Sequence, residues 1–371
     1  MTASPRPIVI LGPTAGGKSS LAVQLAEHLN AIGQGPAPVL GADSMQVYRH
    51  LDAGTAKPSP DLRRRAPHHL IDLVEPHQRF TVHDWLQRAD ELIHQTLARG
   101  GTPVVVGGTN LYLKALLEGL FQGPGQDPAF RQSLQTLPPQ ALHQRLRQVD
   151  PDAAERIAPA DRPRLTRALE VHHLTGQPIS QLQTQWDPPL TPPLTSPPLG
   201  PRQDADLTPP PADGHNAHDD QRPPVYRHRP RLLGLRWDVP ALNARINLRV
   251  KAMFHPDKVD PQLAADVCPA GESLPDETLR LVEEGRLQPG HQAAEALGYK
   301  QILGALRPDR FPDFADPKLQ TLDDAYERTK ILTRRFAKQQ RTWIKRFRGV
   351  RWIDQPADTP PLTQLLTDSA P

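Results

Sequence analysis

Cysteine is almost missing from this chain, with Cys268 the only one in 371 residues. A single thiol excludes an intramolecular disulfide, a disulfide framework and a Cys-rich zinc site, and it fits a reducing compartment. Long apolar runs are missing as well: none approaches the roughly 20 residues needed to span a bilayer. The opening "MTASPRP" leads into a short strand-like run rather than a basic segment followed by a long apolar core. The expectation is a soluble, cytoplasmic protein. A strong charge of one sign is also lacking, because 44 Lys and Arg stand against 41 Asp and Glu, a net +3. Overall charge therefore demands no polyanionic partner; only its distribution could.

What the chain has in excess is proline, 44 residues, against an average usage of about 5%. The excess is local. From Asp187 to Pro224 about a third of the residues are proline and almost nothing could be buried, which reads as a disordered, partly polyproline-II surface loop. Elsewhere apolar strand-like runs ("PIVIL", "PVLGAD", "TPVVVGGT") alternate with helix-like segments, the signature of an α/β fold with a parallel sheet. Residues 131–186 carry no strand signal and read as a helical insertion. The expected organisation is a core in two parts, 1–130 and 231–355, an insertion at 131–186, a Pro-rich loop at 187–230 and a flexible tail at 356–371.

The most informative stretch is "VILGPTAGGKSS". Gly12, Pro13, Thr14, Ala15, Gly16, Gly17, Lys18 and Ser19 satisfy the G-x-x-x-x-G-K-[ST] phosphate-loop pattern, between a strand and a helix with Leu21, Leu25 and Leu29 at helical spacing. In that context the helix N-terminus and the backbone N–H groups of the loop form an anion site. NTPases and small-molecule kinases share the pattern and usually add an acid at the end of a neighbouring strand. Here Val104-Val105-Val106 ends in Gly107-Gly108-Thr109 with no acid, which weakens a motor or switch reading. An acid does follow the second strand, Asp43 in "GADSMQVYR". It belongs on the same rim as the loop, and an ordinary Asx turn aided by Ser44 is an equal reading of it.

Near the C-terminus, ten Lys or Arg and no Asp or Glu occur between Arg328 and Arg351. On a helix running from about Asp323 to Arg348, Arg334, Lys338, Arg341, Lys345 and Arg348 fall within about 80° of one another. Leu332, Phe336, Trp343 and Phe347 gather opposite. This predicts a packed apolar face and a cationic stripe suited to a polyanion.

Eight segments, "GPTAGGKS", "GADSMQVYR", "LDAGTAKP", "PHHLIDLVEP", "VVVGGTNLYLKALLEGL", "RLTRALEVHHLTGQP", "ALGYKQ" and "RRFAKQQRTW", occur in this order. In this the chain resembles the tRNA dimethylallyltransferases, or tRNA isopentenyltransferases. The resemblance spans nearly everything except the Pro-rich loop and part of 255–285. It implies a P-loop NTPase-like core with a mostly helical insertion, and transfer of a dimethylallyl group from dimethylallyl diphosphate to N6 of the adenosine 3′ of the anticodon, in tRNAs reading codons that begin with U. It also implies Mg²⁺ on the Ser19 hydroxyl and the diphosphate in the loop. Nothing in the sequence demands more than a monomer or an obligate protein partner.

Catalytic roles follow from the resemblance for Asp43 as general base, Lys18 and Thr109. Contact with tRNA is implied for Asp43, Ser44, Met45 and Gln46; for Thr109 and Arg131; for Pro163, Arg164, Leu165, Thr166 and Arg167; for Glu295, Ala296, Leu297, Gly298, Tyr299 and Lys300; and for Lys338, Gln339, Gln340, Arg341, Thr342, Trp343, Ile344 and Lys345. Gln339 stands where the family usually has a basic residue and Pro163 where it often has glutamine, so both contribute less. The competing readings are a prenyltransferase of free adenine nucleotides, a P-loop kinase, and a non-enzymatic RNA-binding module.

Overall fold

In the computed structural model, which describes residues 5–121, 123–183, 225–356 and 361–366, the apolar runs become one parallel sheet. Its strands are β1 (Ile8–Leu11), β2 (Val39–Ala42), β3 (His68–His69), β4 (Val104–Gly107), β5 (Arg231–Trp237) and β6 (Val350–Gln355). They lie in the order β3-β2-β4-β1-β5-β6, and every pairing is parallel. β1, β2 and β4 are buried at each residue. This explains their continuous Val/Ile/Leu character, since a parallel sheet is covered on both faces.

The chain divides into two units, Met1–Leu117 with Pro223–Pro371, and Glu118–Arg222. In the first, the early crossovers use α1 (Lys18–Ala31), α2 (Pro60–Arg65), α3 (Val82–Ala98) and α4 (Asn110–Glu118). The start of α3 is fixed by a reciprocal cap between Thr81 and Asp84, a combination that satisfies orphan N–H groups. One turn in, the buried indole of Trp85 donates to the Gly41 carbonyl at 2.8 Å and so ties α3 to β2.

The second unit holds α5 (Pro128–Gln135), α6 (Pro139–Val149), α7 (Pro151–Arg156), α8 (Arg162–Thr175) and α9 (Ile179–Leu182). Leu134, Leu142, Leu146, Leu165 and Val171 anchor its own small core. At its centre Glu170 is fully buried, with Arg131 at 2.7 Å and Arg167 at 2.6 Å. Burial alone would raise this carboxyl, but the two arginines and the Asp127 N–H hold it at about 2. The unit begins at Glu118, upstream of the expected boundary at 131, because Leu134 of α5 belongs to this core and Asp127 caps that helix.

After β5 the first unit resumes with α10 (Val239–Phe254), α11 (Pro261–Val267), α12 (Leu274–Glu283), α13 (Tyr299–Leu306), α14 (Leu322–Ile344) and, past β6, α15 (Leu362–Leu366). Three expectations need correction. The Pro-rich segment 187–224 lies outside the described residues, but its expected continuation to 230 is anchored: Arg227 N–H donates to the Leu117 carbonyl at 2.8 Å, and Arg227 and His228 both bond Asp90. In the supposed tail, 357–360 and 367–371 are outside the described residues, whereas α15 buries Leu365, and Arg351 donates to the Gln364 carbonyl.

The third correction concerns α14. It ends at Ile344, and the face it packs is Ala325, Thr329, Thr333, Ala337, Gln340 and Ile344. Leu332 and Trp343 are half-buried, and Phe336 is 40% exposed. A ranking by hydrophobicity misses this face because Thr329 and Thr333 bond the carbonyls four residues back, at 2.7 Å each. With their hydroxyls satisfied, these residues bury as small apolar groups.

Candidate active site

The carboxyl ends of β2, β4 and β1 are neighbours, and each carries one part of the site. Loop 12–19 follows β1. Gly17, the N-cap of α1, has φ 83°, a left-handed conformation that favours glycine. No side chain caps α1, so the N–H groups of its first turn remain available to an anion.

The loop is held from outside by residues distant in sequence. Gln340 of α14 accepts from Thr14 N–H at 2.7 Å and donates to the Gly108 carbonyl at 2.8 Å, bridging the loop to the end of β4. Trp237 Nε1 donates to the Gly16 carbonyl at 3.1 Å, and Arg245 Nε to that of Ala15 at 2.9 Å. Arg249 Nη2 donates to Thr14 Oγ1 at 2.5 Å, while its buried Nε has no partner among the described residues.

Lys18 and Arg249 therefore share one cleft wall. Burial, followed by Arg249, lowers Lys18 to about 8, against the pull of Asp43. Burial lowers Arg249 to about 10, with Asp43 opposing and Arg245 assisting. Two recessed cations, each lowered by burial and then by a neighbouring arginine, form a site that an anion would relieve. In the absence of one, Lys18 Nζ donates to the Pro13 carbonyl at 2.8 Å.

Asp43 follows β2, lines the cleft and forms a turn. Oδ1 accepts from Met45 N–H at 2.9 Å and Gln46 N–H at 3.3 Å, an Asx-type turn. Oδ2 has no hydrogen bond among the described residues. Thr109 fixes the turn from β4: its Oγ1 accepts from Ser44 N–H at 2.9 Å, and its own N–H donates to the Ala42 carbonyl at 3.2 Å. Gln46 Nε2 then reaches the carbonyls of Thr55 and Ala56, at 3.0 and 3.1 Å. Lys18, Asp43, Gln46, Arg249, Phe336 and Gln340 all line the resulting cleft, whose volume is about 150 Å³.

The oxygen set suits Mg²⁺. Ser19 also lines the cleft, and its hydroxyl has no protein partner among the described residues. Mg²⁺ keeps several waters and takes one or two protein oxygens together with substrate phosphates, so the lack of any all-protein metal cluster among the described residues does not count against it.

The other residues named from the sequence are scattered. In the second unit Pro163 and Arg164 are exposed and Leu165 is buried. Arg131 and Arg167 are committed to Glu170, and Thr166 is half-buried. In the first unit Glu295 pairs with Lys300 at 2.6 Å, Leu297 is half-buried, and Ala296, Gly298 and Tyr299 are buried. On α14 and just beyond it, Lys338, Gln339, Thr342 and Lys345 are exposed, and Arg341 and Trp343 are half-buried. Gln340 and Ile344 are buried. The side chains of Leu165, Ala296, Tyr299, Gln340 and Ile344 are buried, Gln340 at the lining of the cleft. Sequence reasoning missed Arg245, Arg249 and Trp237. The one signal available was two arginines four apart, on one face of the helix after β5.

The family model described as IPP transferase matches residues 46–347. The chain is 36% identical over 355 residues to the tRNA dimethylallyltransferase of Geobacter sulfurreducens, covering 95% of this chain and 92% of that protein. It is 36% identical over 370 residues to that of Syntrophobacter fumaroxidans, covering 98% and 87%. Its fold is similar to the crystal structure of a tRNA isopentenylpyrophosphate transferase from Bacillus halodurans, with TM-score 0.56, 29% identity, and coverage of 94% and 89%.

Proposed function

The chain belongs to the IPP transferase family, and on that premise we propose how its cleft carries out the reaction. The enzyme transfers a dimethylallyl group to an adenosine of tRNA. The donor, dimethylallyl diphosphate, seats its diphosphate on the N–H groups of loop 12–19, against Lys18 and Arg249. N6 of the adenosine 3′ of the anticodon approaches on the Asp43 side.

As the allylic C1–O bond breaks, negative charge grows on the departing diphosphate, where preorganised N–H groups and cations stabilise it. The N6 lone pair forms the new N–C1 bond, and Asp43 Oδ2 takes the N6 proton. Oδ1 is already committed to the turn, so Oδ2 is the oxygen left to act as base. Thr109 orients that turn through Ser44. Ser19 would help to hold Mg²⁺, which would supply positive charge to offset that of the leaving group. The adenine must leave its stack to reach a recessed donor, as in other base-modifying enzymes.

The observation that carries this reading is the meeting of the two recessed cations with the unpartnered oxygen of Asp43 in one cleft. Exposed Lys338 on α14 and Lys345 at its C-cap favour an RNA over a free nucleotide. The test is transfer of radiolabel from dimethylallyl diphosphate, with Mg²⁺, to an anticodon stem-loop or to AMP. Label in the stem-loop alone is expected. Label in AMP would identify a nucleotide prenyltransferase, and label in neither would overturn prenyl transfer.

A further inference from the structure

One wall of the cleft is set by a device far from the reacting atoms. Thr55, Ala56 and Pro58 line the cleft beside Gln46, and the turn before them, Asp52–Gly54, is gripped from the other half of the chain. Glu277 of α12 is 1% exposed. Its carboxylate accepts from Asp52 N–H at 3.1 Å and Ala53 N–H at 3.1 Å. It also accepts the hydroxyl of Tyr299, at the start of α13. The Tyr299 oxygen in turn accepts from Gly54 N–H at 3.2 Å. Three consecutive backbone donors are thus held by two side chains. The fit is close: a Cβ on Gly54 would lie 2.3 Å from the Tyr299 ring.

We infer that Glu277 and Tyr299 are positioning residues for the prenyl-transfer site, holding turn 52–54 so that Gln46, Thr55 and Ala56 present the wall against which the acceptor base is seated. The inference rests on the function proposed above. Glu277 touches neither substrate; it acts through the turn and then through the Gln46 amide, which bonds the Thr55 and Ala56 carbonyls.

The grip needs a carboxylate rather than a carboxylic acid, because all three groups facing it donate. Burial pushes Glu277 up to about 7, and the three hydrogen bonds pull against this while Asp52 adds to it. The titratable groups around it are Asp52, which is bonded by the buried Lys57 at 2.8 Å, Tyr299 and Cys268. Burial holds both Tyr299 and Cys268 protonated at neutral pH. Ionisation of Glu277 is therefore the local change that occurs near neutrality, and it tightens the turn as pH rises.

Steady-state kinetics from about pH 6 to pH 9 on wild type, Glu277→Gln and Tyr299→Phe test this. A displaced wall costs orientation, and a misplacement of about 1 Å can cost on the order of a hundredfold. Glu277→Gln is expected to raise the stem-loop KM about tenfold at pH 8, with the donor KM within about twofold of wild type. The wild-type acid limb near pH 7 should be lost in Glu277→Gln, and Tyr299→Phe should show an intermediate effect. Unchanged KM values and an unchanged limb, accompanied only by a lower Tm, would overturn the inference and leave a structural role.

Hydrogen exchange at Asp52, Ala53 and Gly54 reads the clamp without turnover: protection lost in both variants supports it, and protection retained overturns it. Wild-type protein that fails to prenylate RNA would refute the functional premise alone, since exchange still decides the clamp.

Discussion

At the residue scale, the division of labour between the two oxygens of Asp43 gives a sharp expectation. Asp43→Asn keeps an oxygen for the Met45 and Gln46 N–H groups but removes the base. Its kcat should fall about 10²–10⁴-fold with stem-loop affinity unchanged; full activity in this variant would remove the catalytic role. Lys18 gives a pH prediction. Above about 8 the empty site holds a neutral amine, and a bound diphosphate raises that pKa, so binding takes up a proton.

Donor affinity should fall by up to about tenfold per pH unit above 8. Calorimetry in buffers of different ionisation enthalpy reads the proton uptake, and affinity flat from pH 7 to 9.5 would refute it. The same shift acts on stability in a known direction. The folded pKa lies below the unfolded 10.5, so the unfolded chain binds more protons between about 8 and 10.5, and the empty protein gains stability as pH rises through that window. The residues legible in the sequence were those on one contiguous loop, Gly12 to Ser19, and Asp43 and Thr109 at strand ends. Arg249 and Trp237 were not, because an arginine on α10 and an indole at the end of β5 gain meaning only when the sheet brings them to the loop.

At the scale of the element, α14 is where pattern reading and packing diverge. The cationic residues were visible from composition alone; the buried face was not, since helix packing selected Thr329, Thr333 and Ala337 over Leu332 and Phe336. Lys338→Ala should weaken RNA binding and reduce the salt slope by roughly one without changing donor affinity, and an unchanged slope would strike this residue from the contact list. Gln340→Ala tests the inner face. It strips Thr14 N–H and the Gly108 carbonyl of their partner, and the buried carbonyl left unpaired costs about 1–3 kcal/mol. The expected result is a lower melting temperature with a raised donor KM. A donor KM equal to wild type would mean that the loop holds its shape without the amide.

For the whole molecule, the sheet order explains why the core returns at the far end of the sequence. β1, which carries the phosphate loop, lies between β4 and β5, so the N-terminal half alone would leave its central strand as an edge with unpaired backbone groups. A fragment of residues 1–117 should show no cooperative melt, and mixing it with residues 225–371 should restore one. A cooperative transition in the first fragment alone would contradict this account. The parallel class of the sheet was legible from the alternation of strands and helices. The strand order was not, because short apolar runs carry no record of their neighbours.

One consequence of α14 concerns communication. This 23-residue helix carries lysines on its outer face and, on its inner face, the amide that spans loop and sheet. Lys338 faces outward and Gln340, two residues on, faces inward, so both faces belong to the same turn. A shift imposed on the helix from outside would reach the loop through Gln340. Reciprocity of binding free energies then requires that a loaded loop alter RNA affinity by the same factor, in the same direction.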